Sequence, residues 1–371
     1  MAPETLIVPA LRGESPAWPA DSPATLERAV LDAAAEHGVT ALLSRTPAIE
    51  LWPTSVRSTL RGAVRREAVL EAVRRTELAA LLEALAQAGA HPLVLKGAQI
   101  AYTHYPEPWL RPRLDTDLLV APDERTRADG ILRGLGYTPG TDFDGDLVTH
   151  QFRYERTNRY GFTDAVDLHW RIANPHVFAG TLTFEELANR ARPIEALGPA
   201  ARGPADADAL LLACLHRVAH HDNSDRLLWL YDIHLLASSM SGALLDAVAA
   251  QASAKRLRAV CASGLELAQR RFGTSVPRRW SQQLDTSDGA REPTATFLRA
   301  GRNKVDDLLS DLHTLDGWQP RLKLLREHLF PPVAYIRRAY GLEHPALIPF
   351  GYARRIVAGF GKWLQRSGRA S

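Results

Sequence analysis

Two short apolar segments constrain this chain more than any other feature of its sequence. The first segment, residues 93–95, is followed directly by Lys96 and Gly97. The second segment carries Asp115 and Asp117 and continues into apolar residues. Side chains alternate between the two faces of a β-strand, so residues two apart share a face. We therefore expect both carboxylates on one face of a strand that follows a lysine–glycine turn.

A third carboxylate, Asp167, lies in another strand-like segment, residues 164–170. Three carboxylates on neighbouring strands, behind a glycine turn, offer oxygen ligands that suit Mg²⁺ and a triphosphate. His169 shares a face with Asp167 by the same alternation. It would orient Asp167, contact a substrate or form a hydrogen bond within the fold, and the sequence leaves these roles open. Arg111 and Arg113 precede the acidic strand, where they would bind phosphate or balance the carboxylates.

These residue types suit the transfer of a nucleotidyl group from a triphosphate. Two metal ions about 3.5–4 Å apart stabilise the attacking and the leaving oxygen of such a displacement. We assign Asp115 and Asp117 as the ligands that bridge the two metals, and Asp167 as the third ligand and the candidate base. Gly97 would let the backbone approach the phosphates closely, because a side chain there would block them. Lys96 would contact a phosphate or remain a surface charge.

Hydrophobic periodicity sets the order of the elements around these strands. Apolar residues recur at three- and four-residue spacing over residues 54–89, strands and helices alternate up to Pro175, and the pattern beyond it is almost wholly helical. This order predicts an α+β (mixed) fold, in which a small sheet with its helices precedes a mostly helical C-terminal region. The proline-rich residues 1–22 predict a loose arm. We expect a linker over 273–293 and four parts: an N-terminal arm and helices over 1–90, an α/β core over 91–175, a helical domain over 176–272 and a C-terminal helical extension over 294–371.

A second group of polar residues lies in the helical region. His216 and His220 are four residues apart and share one helix face, and His221 and Asp232 follow. Two histidines and an aspartate could hold a metal, although the zinc signature His-Glu-x-x-His is absent because no glutamate stands between the histidines. Three interpretations stay open: a separate metal site, binding of donor or acceptor, or a hydrogen-bond network in which Asp232 caps a helix or pairs with Arg226 or a histidine.

Charge and hydropathy limit the class of partner. The net charge of +3 gives little support for binding to nucleic acid. No apolar segment of about eighteen residues occurs, so no transmembrane helix is expected, and the N-terminus lacks the basic and apolar regions of a signal peptide. We therefore expect a cytoplasmic protein. The basic tail over 350–371 would pack on the domain with its arginines in solvent, or lie weakly on a membrane surface.

The ordered set of motifs resembles that of a known family. Residues 95–97 (LKG), 113–120 (RLDTDLLV) and 166–170 (VDLHW) are similar to the motifs of the uncharacterised nucleotidyltransferase family in the DNA polymerase β superfamily. The resemblance covers roughly residues 25–270. It implies a small polymerase-β-like nucleotidyltransferase sheet, two Mg²⁺ ions and a nucleoside triphosphate as donor. One departure concerns the turn, where the wider superfamily has Gly-Ser and this chain has Lys96-Gly97-Ala98. The serine hydroxyl is absent, and Lys96 could supply positive charge to the phosphates instead.

These observations together predict an Mg²⁺-dependent nucleotidyltransferase. It would move a nucleoside monophosphate from a triphosphate to a small-molecule or peptide acceptor by a two-metal mechanism. Lys96, Gly97, Arg113 and His169 would bind the donor, and the helical domain after residue 175 would form one side of the cleft and select the acceptor. Two alternatives remain: phosphoryl or glycosyl transfer from a nucleotide or nucleotide-sugar donor on the same fold, and a non-catalytic nucleotide- or peptide-binding module.

Overall fold

The computed structural model describes residues 2–140, 147–277, 280, 284, 289, 291–342 and 344–364. Its helices and mixed seven-stranded sheet form an α+β fold, which confirms the predicted fold class. Part of the predicted linker over 273–293, and residues 365–371 of the predicted C-terminal extension, lie outside the described residues.

Helices form most of the N-terminal region. They are α1 (Glu4–Leu11), α2 (Ala24–Glu36), α3 (Thr40–Leu43) and the long α4 (Thr54–Gln87). The prediction of a loose arm is wrong for α1, because its Leu6, Ile7 and Ala10 are buried in the core. Packing of these apolar side chains outweighs the cost of Pro9, which removes one backbone hydrogen bond from the helix. The helical periodicity over residues 54–89 corresponds to one continuous helix.

A mixed sheet carries the motif residues. Its strands along the chain are β1 (Leu93–Val94), β2 (Thr116–Leu119), β3 (Thr138–Pro139), β4 (Gln151–Thr157), β5 (Thr163–His169), β6 (Arg192–Pro193) and β7 (Arg202–Gly203). Their spatial order is β3-β4-β5-β2-β1-β7-β6. β5 is parallel to β2 and antiparallel to β4, while β1 is antiparallel to β2. The segments predicted as strands around residues 93, 117 and 167 are confirmed as β1, β2 and β5.

The remaining helices follow the strands. Helix α5 (Lys96–Thr103) comes after β1 and α6 (Arg125–Gly134) after β2, and the later helices are α7 (His176–Ala179), α8 (Phe184–Arg190), α9 (Asp206–Ala219), α10 (Leu227–Ser238), α11 (Gly242–Ala254), α12 (Arg258–Phe272), α13 (Lys304–Thr314), α14 (Trp318–Leu329), α15 (Val333–Tyr340) and α16 (Ile348–Leu364). Strands β6 and β7 interrupt this helical region and extend the sheet, because β7 pairs with β1. Among the described helices, none has the length and apolar character needed to cross a bilayer.

Two clusters of buried side chains hold these elements together. The larger cluster joins α1, α2, α3 and the start of α4 to the helices α9 to α12, so the N-terminal helices and the helical region share one core. The smaller cluster packs the second half of α4 and α6 against the sheet face that carries Leu118, Tyr154 and Leu168. Because side chains alternate along a strand, Asp117 and Asp167 lie on the opposite face, toward the larger cluster.

Candidate active site

Two of the predicted carboxylates lie side by side on neighbouring strands. The parallel register of β2 and β5 places Asp117 next to Asp167. Nζ of Lys96 donates a hydrogen bond to Oδ1 of Asp117 at 2.7 Å, and Nε2 of His169 lies 2.8 Å from the same oxygen. The fold therefore brings four of the predicted site residues together, from β2, β5 and the first residue of α5.

Asp117 is a fixed negative charge. Burial would raise the pKa of its carboxyl group, but the Lys96 ammonium and the hydrogen bond with His169 outweigh burial and hold that pKa well below its ordinary range. Burial and the charge of Lys96 lower the pKa of His169, so this imidazole is neutral at neutral pH. Since an ionised carboxylate only accepts hydrogen bonds, we infer that Nε2 of His169 carries the hydrogen and donates a hydrogen bond to Oδ1 of Asp117.

Asp167 has the opposite electrostatic character. Burial, followed by the negative charges of Asp117 and Asp115, raises its pKa to about 7. Its Oδ2 accepts a hydrogen bond from Nε2 of Gln151 at 3.2 Å. Its Oδ1 is buried and has no hydrogen-bond partner among the described residues. A buried carboxylate oxygen in this state is suited to a proton or to a cation.

This raised pKa predicts how stability depends on pH. The folded protein holds the Asp167 proton up to about pH 7, whereas the unfolded chain releases it near the ordinary value of 3.8. The folded state binds more protons in between, so the free energy of unfolding falls as pH rises through this window. Asp167→Asn removes the charge. In EDTA at pH 8, we expect this variant to have a higher melting temperature than the wild type, and a free energy of unfolding that is larger by up to about 4 kcal/mol. The difference should vanish near pH 4.

Thermal melts of the two proteins from pH 4 to pH 8 measure this difference. Asp123→Asn is the matched control, because Asp123 is an exposed aspartate that lies outside the site. A constant difference between Asp167→Asn and the wild type across the range would contradict the raised pKa.

Asp115 stands apart from the other two carboxylates. Potential ligand atoms of Asp117, Asp167 and His169 lie within 4.8 Å of one another, and in the described part of the chain this is the group with metal-ligand spacing. The Asp115 side chain is 37% exposed, and its Oδ2 lies 3.3 Å from Nη1 of Arg153. The same nitrogen lies 3.6 Å from Oδ1 of Asp167. One guanidinium therefore sits between Asp115 and Asp167.

The lysine–glycine turn has an unusual backbone. Lys96 has a φ of 52°, in the left-handed region that lysine rarely occupies, and helix α5 begins at this residue. A Cβ on Gly97 would lie 2.1 Å from Nη1 of Arg111. The Arg111 guanidinium thus occupies the space that a side chain at position 97 would need. This contact accounts for the glycine without the close approach of a phosphate.

Both arginines before the acidic strand have buried partners away from that strand. Nη2 of Arg111 donates to Oδ2 of Asp232 at 2.7 Å, and Nη1 of Arg113 donates to both oxygens of Glu71 at 2.7 Å. Their direct partners are thus buried acids on α4 and α10, and a role in balancing the carboxylates of the acidic strand stays a prediction. The expected pairing of Asp232 with Arg226 or a histidine is wrong, because Asp232 pairs with Arg111. Phosphate binding by Arg113 stays a prediction.

The carboxylates open into a cavity of about 870 Å³. Lys96, Gly97, Asp115, Asp117 and Asp167 lie on its floor. One wall comes from the end of α9 and the start of α10, which agrees with the expected contribution of the helical region. The opposite wall comes from α2 and α4 and includes two arginines. Its side chains are Leu31, Asp32, Ala35, Thr59, Ala63, Arg66, Glu67, Leu70 and Arg74.

The histidines of the second polar group line the same cavity. Burial and the nearby Lys96 charge lower the pKa of His216 well below its ordinary value, and they lower the pKa of His221 to about 4. Nε2 of His221 lies 3.1 Å from Nε2 of His216, and its ring stacks on Trp229 with centroids 3.8 Å apart. These imidazoles are neutral at neutral pH, so they offer hydrogen bonds and aromatic surface but no charge. In the described part of the chain they form no group with metal-ligand spacing.

Two polar residues of the site were missed by sequence reasoning. Gln151 and Arg153 lie two apart on β4, and the antiparallel register sets Arg153 opposite Asp167. A signal existed in principle, because alternation along β4 places both side chains on the face of the carboxylates. Using it requires the register of the β4–β5 hairpin, which the sequence pattern does not give.

Comparison with known proteins agrees with the motifs. A model of the family described as uncharacterised nucleotidyltransferase matches residues 23–273. No curated protein is significantly similar to the chain. The family match covers the strands and helices that build the cavity, and it spans well over half of the sequence. The chain therefore belongs to the uncharacterised nucleotidyltransferase family.

Proposed function

We propose that this protein transfers a nucleoside monophosphate from a nucleoside triphosphate to an acceptor, with Mg²⁺ as cofactor. The observation that carries the proposal is the pair Asp117 and Asp167, side by side at the floor of a cavity and next to Lys96. The cavity volume of about 870 Å³ falls within the range of about 300–1,000 Å³ typical of small-molecule sites.

The donor set at the floor fits a divalent cation. Among the described residues, the buried Oδ1 of Asp167 has no hydrogen-bond partner, although Nη1 of Arg153 lies 3.6 Å away. This oxygen lies beside an ionised Asp117, and carboxylate oxygens are the ligands that Mg²⁺ prefers. Asp117 and Asp167 would hold one ion. Asp115 would contribute to a second ion after Arg153 moves away from it. Bound Mg²⁺ neutralises charge on the phosphates and on the attacking oxygen.

The chain's own residues then have distinct roles. Lys96 supplies positive charge where a triphosphate would lie, because its ammonium can pair with a phosphate oxygen as well as with Asp117. His169 holds Asp117 in place through its hydrogen bond. Asp167 is the candidate base for the proton of the acceptor, because it lies beside Asp117 at the floor of the cavity.

We expect the donor and the acceptor to bind at different walls of the cavity. Helices α2 and α4 form one wall and the histidine-bearing ends of α9 and α10 form the other. We assign the acceptor to the second wall, where the stacked His221 and Trp229 provide aromatic surface and uncharged hydrogen-bonding groups. A small molecule or a peptide with an apolar or aromatic part fits this chemistry.

A thermal-shift experiment tests donor binding. The protein is heated with ATP, GTP, CTP or UTP, each with Mg²⁺ and with EDTA. A nucleotide at about a hundred times its Kd should stabilise the folded state by ~2.7 kcal/mol. We expect a rise in melting temperature for at least one nucleotide, and only when Mg²⁺ is present, because the carboxylates at the floor would otherwise repel the triphosphate.

Mass spectrometry of the products then tests the reaction. The stabilising nucleotide is incubated with Mg²⁺ and a mixture of small alcohols, sugars and peptides, and pyrophosphate release is followed in parallel. A product heavier by a nucleoside monophosphate supports the proposal. A shift without turnover would favour a non-catalytic binding module, and a shift with nucleotide-sugars alone would favour glycosyl transfer.

A further inference from the structure

The C-terminal extension exposes an unusual number of large apolar side chains. Of the fifteen large hydrophobic residues exposed in the described part of the chain, nine lie between residues 309 and 357. Trp318 is 70% exposed, Phe350 is 66% exposed and Val357 is 77% exposed. Scattered apolar residues are normal on a protein surface, whereas a concentration of this kind indicates a binding surface.

The exposed residues are ordered along helix faces. Trp318 and Leu322 are four residues apart on α14, and Phe350 and Val357 are seven apart on α16, so each pair shares one face of its helix. The ring of Phe330, which follows α14, lies 5.8 Å from the ring of Tyr352 on α16. The end of α14 is therefore adjacent to α16. We call the exposed apolar residues of these segments the apolar patch: Trp318, Leu322, Phe330, Val333, Leu347, Phe350, Ile356 and Val357.

The charge of the same region is strongly positive. Residues 318–371 contain ten Arg and Lys and two Asp and Glu, against 45 and 42 in the whole chain. Residues 318–371 thus carry a net charge of +8, and residues 1–317 carry −5. The overall charge of +3 hides this asymmetry. Exposed arginines accompany the apolar patch on its helices, among them Arg321 on α14, Arg338 on α15 and Arg354 on α16.

We propose that α14, α15 and α16 form a docking surface for an anionic lipid membrane. Apolar and aromatic side chains that insert at the headgroup level, together with flanking arginines and lysines, are the chemistry by which helices bind such surfaces from one side. Tryptophan in particular favours the interface between lipid and water. The positive region would meet the anionic headgroups, while residues 1–317, with a net charge of −5, would be repelled by them.

Vesicle flotation tests this proposal on the full chain. The protein is mixed with vesicles of phosphatidylcholine alone, or of phosphatidylcholine with about 30% phosphatidylglycerol, at low and at high salt. We expect binding to the anionic vesicles to be at least about tenfold stronger than to the neutral ones, and to weaken with salt. The double variant Phe350→Ser/Val357→Ser should lose about tenfold in binding to anionic vesicles.

Two matched controls separate the patch from general effects. Val69→Ser removes an exposed apolar residue of α4, 59% exposed, and should bind as the wild type does. The double variant Arg321→Glu/Arg354→Glu should bind anionic vesicles several-fold more weakly than the wild type. Its control is Arg65→Glu, which replaces an exposed arginine of α4. All these side chains are exposed, so the melting temperature should stay near that of the wild type.

The alternatives give different results. Absence of flotation with both vesicle types, or equal binding to neutral and anionic vesicles, would overturn the proposal. Concentration-dependent dimers in sedimentation, abolished by Phe350→Ser/Val357→Ser and accompanied by no vesicle binding, would instead assign the patch to a second copy of the chain.

Discussion

Asp117→Asn is expected to reduce nucleotidyl transfer by at least about a thousandfold, because it removes a buried carboxylate whose pKa lies well below its ordinary range and which would hold the metal ion. Asparagine has the same shape and can still accept hydrogen bonds from Lys96 and His169. The packing of β2 should therefore survive, with a moderate loss of stability from the buried Lys96. Pyrophosphate release at saturating nucleotide and Mg²⁺ measures the rate, and circular dichroism checks the fold.

The matched control for this experiment is Asp123→Asn. Asp123 is an exposed aspartate that follows β2 outside the cavity, so its replacement should leave the rate within about twofold of the wild type. A near wild-type rate for Asp117→Asn would overturn the assignment of the catalytic centre. A large loss in both variants would point to a general effect on the protein instead.

Asp232→Ala is expected to be the most destabilising single substitution near the site. The Asp232 carboxylate accepts hydrogen bonds from Nε and Nη2 of Arg111 and from the hydroxyl of Tyr105, and the side chains of Arg111 and Asp232 are only 7% and 5% exposed. Removal of the acid leaves a buried guanidinium without its counter-charge, which costs about 3–5 kcal/mol. Because Arg111 also lies against Gly97, the loss should disturb the turn that positions Lys96.

Urea denaturation measures the free energy of unfolding of this variant. Glu266→Ala is the control, since Glu266 forms an exposed ion pair with Arg270 on α12 and its loss should cost less than about 1 kcal/mol. The double variant Arg111→Met/Asp232→Leu should recover much of the stability, because apolar side chains can replace a buried ion pair. A loss below about 1 kcal/mol for Asp232→Ala would show that the pair does not hold the two regions together.

The local part of the site is predictable from the sequence. The spacing of Asp115 and Asp117 and the apolar residues after them indicate the acidic strand, and the segment around Asp167 indicates its neighbour. The alternation rule then predicts that Asp115 shares a face with Asp117, and Asp167 with His169. The structure confirms both strands, but Asp115 lies just before β2, and the position of Asp117 beside Asp167 comes from the register of the two strands.

The remainder depends on contacts between distant segments. The partners of Arg111 and Arg113 are Asp232 and Glu71, which are separated from them by 121 and 42 positions. No period or motif in a single sequence relates such residues. Arg153 enters the site through the register of the β4–β5 hairpin. The burial of α1 depends in part on α12, which lies near the end of the region that the family model matches.

The shared core of α1 and α12 has a consequence for the order in which the chain can fold. Arg12 donates to the carbonyl oxygens of Arg270 and Arg271, and Glu4 pairs with Arg271. Helix α12 begins 247 residues after α1 ends, and a ribosome needs roughly 12–50 s for that length at ~5–20 residues per second. During this time the apolar side of α1 can pack against α2 and α3 but lacks its contact with α12. Translation speed and chaperone access during those seconds should therefore affect the yield of folded protein.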